Sequence, residues 1–129
     1  MFSKELYQTH LKTKFLGRGM KYLSQTNSTN EDAWAYFQDG SPEGTLFITD
    51  DQQKGKGRRQ NKWVSTKGKS LTFSFLLRPE MKLEKLGLLP LLTGVSIVEA
   101  IKSAASIQTG LKWPNDIMLN EKKNGRNSC

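Results

Sequence analysis

The sequence predicts an α+β fold with a mixed or antiparallel sheet and helices packed on one side. Three observations predict it: several short β-branched and apolar segments lie close together in the chain, two segments carry helical signals, and the order reads β-α-β-loop-β-α-β-β. At 129 residues the chain suits one domain and buries roughly two-thirds of its unfolded surface, enough for a core.

Residues 1–15 are mixed and charged. Met20-Lys21-Tyr22-Leu23 alternates well enough for a first strand. Ser28-Thr29-Asn30-Glu31 places a hydroxyl residue three positions before a glutamate, a capping box that opens a helix over 29–38, and Gly40 closes it. Thr45-Leu46-Phe47-Ile48-Thr49, bounded by Pro42 and Gly44 before and Asp50-Asp51 after, reads as a strand. It delivers the chain into a basic loop. Residues 70–77 alternate in part, turn apolar and stop at Arg78-Pro79, which predicts a core strand. Residues 83–105 carry Leu88, Leu91, Leu92, Val95, Val98 and Ile101 at helical spacing, with Pro90 tolerable only if the helix proper starts near it. This segment is expected to be a buried helix. Leu111-Lys112-Trp113, ended by Pro114, and Ile117-Met118-Leu119, leading into a polar turn at 120–122, read as short strands.

Composition bounds the function. Twenty Lys plus Arg against twelve Asp plus Glu give +8, which favours anionic partners: nucleotides, nucleic acid or acidic protein faces. One cysteine, Cys129, excludes an internal disulfide framework, and one histidine, His10, leaves no cluster for a soft metal. The first residues lack the apolar core of a secretory signal, and 86–101, interrupted by Pro90, Thr93, Ser96 and Glu99, falls short of the ~20 apolar residues of a membrane span. A cytoplasmic protein is expected, with no membrane partner.

The most informative run is Gln52-Gln53-Lys54-Gly55-Lys56-Gly57-Arg58-Arg59-Gln60-Asn61-Lys62-Trp63. Its glycines let backbone N–H groups approach a ligand and accept positive φ, its cations neutralise phosphate or carboxylate, and its tryptophan can cover a flat ligand. A solvated basic surface loop would share this composition.

Four segments in order carry a family resemblance: Ser28-Thr29-Asn30; Gln52 with Gly55-x-Gly57-Arg58-Arg59 and Trp63; Ser70-Leu71-Thr72-Phe73-Ser74; and Lys112-Trp113-Pro114-Asn115-Asp116 with Lys123 seven residues on. Each is weak alone, but as an ordered set over residues 15–125 they resemble the catalytic domain of biotin protein ligases. The resemblance implies a fold related to class II aminoacyl-tRNA synthetases. It implies ATP-dependent activation of biotin to biotinyl-5′-AMP, and transfer of the biotinyl group to a lysine of a biotin carboxyl carrier domain.

By that resemblance Ser28, Thr29, Asn30 and Gln52 contact biotin, Ser28 and Gln52 serving its ureido ring, whose donors and acceptor need partners when buried. Read from the residues alone, Ser28 is also a helix cap and Gln52 an exposed amide. Gly55, Lys56 and Gly57 match the loop that approaches biotin. Arg58 matches the arginine that reaches the carboxylate and α-phosphate, and Lys123 matches a lysine beside the same groups; these two are the expected catalytic cations. Arg59, Trp63, Asn115 and Asp116 match the adenylate side, Trp63 closing over it. Asp116 is an expected partner for Mg²⁺ or for the incoming lysine, although Asn-Asp after Pro is also a good turn.

The sequence also departs from the family. Gln60-Asn61 stand where the family has glycine then arginine, and Lys56 where it has arginine. After Lys123 the polar residues 124–129 lack the β-branched pattern of a core strand, and the family's glycine-rich strand and small β-barrel domain do not follow. The expectation is the N-terminal portion of the catalytic domain over 1–129, a truncated or frame-altered copy or a fragment. Its unpaired edge could support a homodimer and should reduce stability. Too few residues precede Ser28 for a helix-turn-helix domain, so no sequence-specific DNA binding is expected. Two other readings stand beside this one: a lipoate or octanoate ligase or transferase of the same fold, and a basic module that binds nucleic acid through 54–62 with Trp63 as a stacking platform.

Overall fold

The computed structural model describes residues 2–120 and, for the backbone alone, 122–126. The chain forms two compact units, Met1–Pro79 and Glu80–Cys129. The strands divide accordingly into two three-stranded sheets, in place of the single sheet expected.

The first unit opens with α1 (Lys4–His10), a helix not among the elements read from the sequence. Local polar contacts hold it: the Ser3 side chain accepts from Leu6 N–H, and the Tyr7 hydroxyl donates to Gly17 O at 3.1 Å. The strand β1 (Met20–Leu23) pairs in parallel with β2 (Leu46–Thr49), which pairs antiparallel with β3 (Thr72–Phe75). All four residues of β2 are buried, as a central strand covered by a helix requires.

That helix is α2 (Thr29–Gln38), which lies on β2 and β3. Ala33, Phe47 and Leu76 form the buried cluster between them, and the Tyr36 ring leans on Phe47 at 5.4 Å. The helix ends as its sequence predicts. Gly40 takes φ +80°, its N–H bonds to Phe37 O, and Ser41 N–H bonds to Tyr36 O, the paired 5→2 and 6→1 bonds of a Schellman cap.

In the second unit a 3₁₀ turn over Leu83–Leu88 feeds α3 (Leu89–Ala105), with Pro90 in its first turn, where a missing N–H costs nothing. The helix packs on β4 (Gly110–Lys112) and β5 (Asp116–Leu119), two strands of a meander completed by β6 (Lys122–Arg126). At the contact Gly94 is buried, and a Cβ there would come within 2.6 Å of Leu111 Cδ1, so this glycine lets helix and strand meet.

Three expectations are revised in this unit. The apolar helix is not buried: of α3 only Gly94 is, while Leu91, Leu92 and Val95 are exposed. A three-stranded meander is too narrow to cover more than one stripe of a helix. The helical run Leu83–Ala105 has 23 residues and holds an apolar window of mean hydropathy 1.5, so by length and composition alone it is long enough to cross a membrane, where the count over 86–101 fell short. The polar tail, read as lacking strand character, supplies β6, paired antiparallel with β5 through a register shift at Ile117/Met118. A terminal hairpin strand needs only backbone donors and acceptors facing its partner, so side-chain pattern does not forbid it.

Candidate functional site

The parallel pairing of β1 and β2 continues past their ends. A Thr26–Gln52 bridge, with Thr26 N–H to Asp51 O at 3.0 Å, Gln53 N–H to Thr26 O at 2.9 Å and Lys54 N–H to Asn27 O at 2.8 Å, lays the entry to α2 beside the entry to the basic loop. Residues 24 positions apart, Ser28 and Gln52, thus share one corner of the unit.

At that corner the first turn of α2 is buried and polar. Ser28 and Thr29 are 7% and 3% exposed. Ser28 caps the helix by accepting from Glu31 N–H at 3.4 Å, as predicted. Thr29 N–H donates to Gln52 Oε1 at 2.9 Å. A backbone N–H can only donate, so this contact fixes the Gln52 amide with its oxygen on the helix and its Nε2 turned away. Thr29 Oγ1 lies 2.8 Å from Ser74 Oγ, which donates to Asn30 Oδ1 at 2.5 Å.

The capping-box glutamate departs from its usual partner. Glu31 Oε1 takes Lys56 Nζ at 2.8 Å, tying α2 to the basic loop. The Lys56 hydrogen bond and charge hold the Glu31 carboxyl below the ordinary carboxylate range, and Glu31 in turn holds the Lys56 ammonium above its ordinary value. A cavity of about 520 Å³ opens beside this pair, lined by Ser28, Asn30, Glu31, Trp34, Gln38 and Lys56 among others.

The loop itself is closed like a small hairpin. Lys56 and Lys62 form an antiparallel bridge, Trp63 N–H donates to Gly55 O at 2.9 Å, and Gly57 N–H donates to Asn61 O at 2.6 Å. Its tip is a 3₁₀ turn over Arg58–Gln60. Positive φ was expected at the glycines, yet Gly57 is extended at φ −89°, and the left-handed residues are Arg59 at +56° and Gln60 at +63°. Gly55 serves packing instead. It is buried, and a Cβ there would lie 2.5 Å from Gln52 Nε2 and 2.9 Å from Trp63 Cδ1. Only a glycine lets the Gln52 amide and the half-buried Trp63 close around this point. Arg58 and Arg59 are exposed, their guanidinium groups available to an anion.

Ser28, Thr29, Asn30, Gln52, Gly55, Lys56, Gly57, Arg58, Arg59 and Trp63 all belong to the first unit. Asn115 and Asp116 belong to the second, where Asp116 faces Lys112 across the β4–β5 ladder. Asn115 is 7% exposed and its Nδ2 has no hydrogen-bond partner among the described residues. An orphan buried donor of this kind is rare and asks for a ligand or water acceptor. The backbone of Lys123 pairs with Met118 in β6, and the role expected of its side chain lies outside the described residues, as does Cys129. Sequence reasoning passed over Glu31 as more than a cap, and Ser74 as more than part of a motif; both become polar partners of the site only when β3 and the loop are folded against α2.

The family model of the Biotin/lipoate A/B protein ligase family matches residues 22–125. The chain belongs to that family. The bifunctional ligase/repressor BirA of Bacillus spizizenii is 42% identical over 113 residues, covering 88% of this chain and 35% of the relative. The biotin–protein ligase of Homo sapiens is 32% identical over 93% of this chain and 17% of its own length. Among solved structures, the biotin protein ligase from Aquifex aeolicus in complex with biotin and ATP superposes with a TM-score of 0.72 at 40% identity, covering 82% of this chain and 44% of that one. The ligase family is thereby shown, while the chain spans about a third of the length of the curated BirA relatives it matches.

Proposed function

We propose that this chain carries the biotin-recognition corner and the anion-binding loop of a biotin protein ligase that makes biotinyl-5′-AMP from biotin and ATP and transfers the biotinyl group to a lysine of a carrier domain. The observation that carries this reading is the convergence of Ser28, Thr29 and Gln52 on one buried corner, next to a basic loop with exposed Arg58 and Arg59. Its biotin ligase relatives, and the Aquifex aeolicus ligase in complex with biotin and ATP, support it.

The chemistry asked of these residues is charge management. A carboxylate acylates poorly until its oxygen becomes part of a good leaving group. In the first step a biotin carboxylate oxygen attacks the α-phosphorus of ATP and pyrophosphate departs. Two anions must meet, and Arg58 offsets their repulsion and the charge that builds on the phosphoryl oxygens; the same kind of role is proposed for Lys123 on the resemblance alone. In the second step a neutral lysine amine attacks the activated carboxyl carbon and AMP leaves. Ser28 and Gln52 orient the ureido ring, Gly55 and Gly57 give the loop backbone close approach, and Trp63 covers the adenylate with Arg59 at its edge. Asn115 offers its orphan Nδ2 to the nucleotide.

Among the described residues no three His, Cys, Asp or Glu side chains could cage a metal. Mg²⁺ is commonly held by one or two carboxylates plus substrate oxygens, so it would arrive with the phosphates of ATP. Asp116 is the proposed carboxylate. The ion would supply charge neutralisation on the departing pyrophosphate. The further proposals are a cytoplasmic location and a carboxylase carrier domain as protein partner; residues 1–129 are read as part of one catalytic domain, and no role is assigned to DNA.

Purified chain with biotin, Mg²⁺ and α-labelled ATP, scored for biotinyl-AMP, tests this directly. Product that disappears in Arg58→Ala is expected. Product formed equally well from lipoate in competition would move the reading to the lipoate branch of the family, and binding of single-stranded nucleic acid with steep salt dependence but no response to biotin or ATP would replace it.

A further inference from the structure

Between Asp51 and Glu80 the chain carries eight cations and no acidic residue. Among the described residues one carboxylate pairs with that run, and it comes from α2: Glu31 Oε1 accepts from Lys56 Nζ at 2.8 Å. The other acid of the same turn is committed elsewhere, since Asp32 Oδ2 accepts from the Thr26 hydroxyl at 2.6 Å. Glu31 and Lys56 both line the cavity beside α2. A protein carboxylate thus stands, in the free chain, where the loop is expected to receive an anion.

An ammonium shared between Glu31 and an incoming anion would hold two negative charges a few ångströms apart with one of them uncompensated, which favours an exchange of partners. Glu31 has somewhere to go. It is the third residue of α2, from which a capping-box glutamate reaches back to the N-cap N–H, here that of Ser28, and a helix N-terminus favours negative charge. The pair is also weak enough to yield, its side chains being well exposed to water.

We propose that Glu31 is an internal counter-ion of the basic loop: it holds Lys56 against α2 in the free chain, opposes anion binding there, and is displaced when the ligand's anion takes the ammonium over. Only the identity of that anion, the biotin carboxylate or a phosphate of ATP, rests on the biotin reading. Displacement frees Glu31 to close the capping box, so occupancy of the loop is felt at the start of α2.

Inorganic pyrophosphate is the probe, because it needs neither biotin nor a complete nucleotide site. Its Kd is measured by isothermal titration at low salt for wild type, Glu31→Gln, Lys56→Met and the double variant. Glutamine also suits the third position of a capping box, so the helix start is kept. Expected is about threefold tighter binding in Glu31→Gln and no gain from the same change in the Lys56→Met background. Asp32→Asn removes an equal charge from the same turn and can still accept from Thr26, and it should bring little of that gain. In wild type the Glu31 carboxyl resonance should shift as pyrophosphate is added, and in Lys56→Met it should stay still. A gain that persists in the Lys56→Met background, or that Asp32→Asn matches, would show Glu31 acting through net charge alone and overturn the proposal. So would a wild type that takes up no pyrophosphate, or one whose Glu31 resonance does not respond. The biotin reading is judged apart, by adenylate formation: exchange at Lys56 without any biotinyl-AMP would sustain the role of Glu31 and remove biotin as its ligand.

Discussion

At the first turn of α2, Ser28 and Thr29 are nearly sealed from solvent and hydrogen-bonded to backbone and side-chain partners; a few residues along from Gln52, the tip Arg58-Arg59-Gln60 is exposed, cationic and partly left-handed. The two regions are joined by the same extended pairing and address the same proposed ligand, yet one is settled before the ligand comes and the other is held under strain and like-charge repulsion. A neutral ring can be read by fixed dipoles, because satisfied hydrogen bonds keep them in place. A phosphate must be met by cations that water solvates well, and those cannot be buried in advance without a partner. Mutations that act on one region and spare the other test whether this division holds.

The largest separation is expected from Arg58→Ala. Its side chain is exposed, so the melting temperature should stay within about a degree, while adenylate formation falls about 10²–10³-fold, the usual loss when a donor to developing charge is removed. An equal loss of biotin affinity in the absence of ATP would place Arg58 in the recognition corner and break the division.

Gly55→Ala strikes the joint between the regions. The new Cβ would lie 2.5 Å from Gln52 Nε2 and 2.9 Å from Trp63 Cδ1, so amide and indole must move apart. Overpacking of this kind costs roughly 1–3 kcal/mol, and biotin affinity by titration should drop tenfold or more. Unchanged affinity would mean that the Gln52 amide does not serve the ligand. Ser28 separates its two roles by a choice of substitutions. Ser28→Ala should lower stability by about 1 kcal/mol, a shift of roughly 4–8 °C for a unit of this size, whereas Ser28→Asp keeps the cap. Aspartate cannot donate, so a Ser28→Asp chain that melts normally but binds biotin poorly shows the hydroxyl acting on the ligand.

These contrasts also mark how far the sequence could be read. The helix over 29–38 was legible to the residue because its signals are local: a hydroxyl, a glutamate three on, and a glycine at the far end. The ordered motifs exposed the family and most of the proposed contacts. Several features were not legible, because each depends on a neighbour distant in sequence. Glu31 looks like half of a capping box until Lys56 is brought beside it, Ser74 looks like one more alternating strand residue until α2 lies on β3, and the exposure of α3 depends on how narrow its meander is. The glycines of the loop misled for a different reason. Composition says that positive φ is available there but does not say which residue takes it.

Gln60 takes part of it, and the consequence is measurable. A non-glycine residue in the left-handed region costs about 1–2 kcal/mol, while glycine costs about 0.5–1 kcal/mol more backbone entropy on folding. Gln60→Gly, which places at φ +63° the glycine that the family resemblance implies, should therefore stabilise the chain by about 0.5 kcal/mol net and raise its melting point slightly. A lower melting point would mean that the loop tip is not held in this conformation in solution.

The smallest effect is expected at the one ion pair seen between the two regions among the described residues. Lys56 and Glu31 have side chains 77% and 55% exposed, so their 2.8 Å contact adds little to global stability and is screened by salt. It should be visible in titration. Because the Lys56 hydrogen bond lowers the Glu31 pKa, the tether is fully formed above the ordinary carboxylate value of 4.5 and is lost as pH falls through the lowered one. Because Glu31 raises the Lys56 pKa, the tether is fully formed below 10.5 and lost as pH rises through the raised value. Titrated down through the acid range and followed by nuclear magnetic resonance, the Glu31 carboxyl should show a lowered pKa that returns to the ordinary value in Lys56→Met and moves toward it in high salt. If Lys56→Met leaves Glu31 unshifted, the loop is not tethered to α2 before ligand arrives, and the boundary between the settled and the strained region lies nearer Gln52 than Lys56.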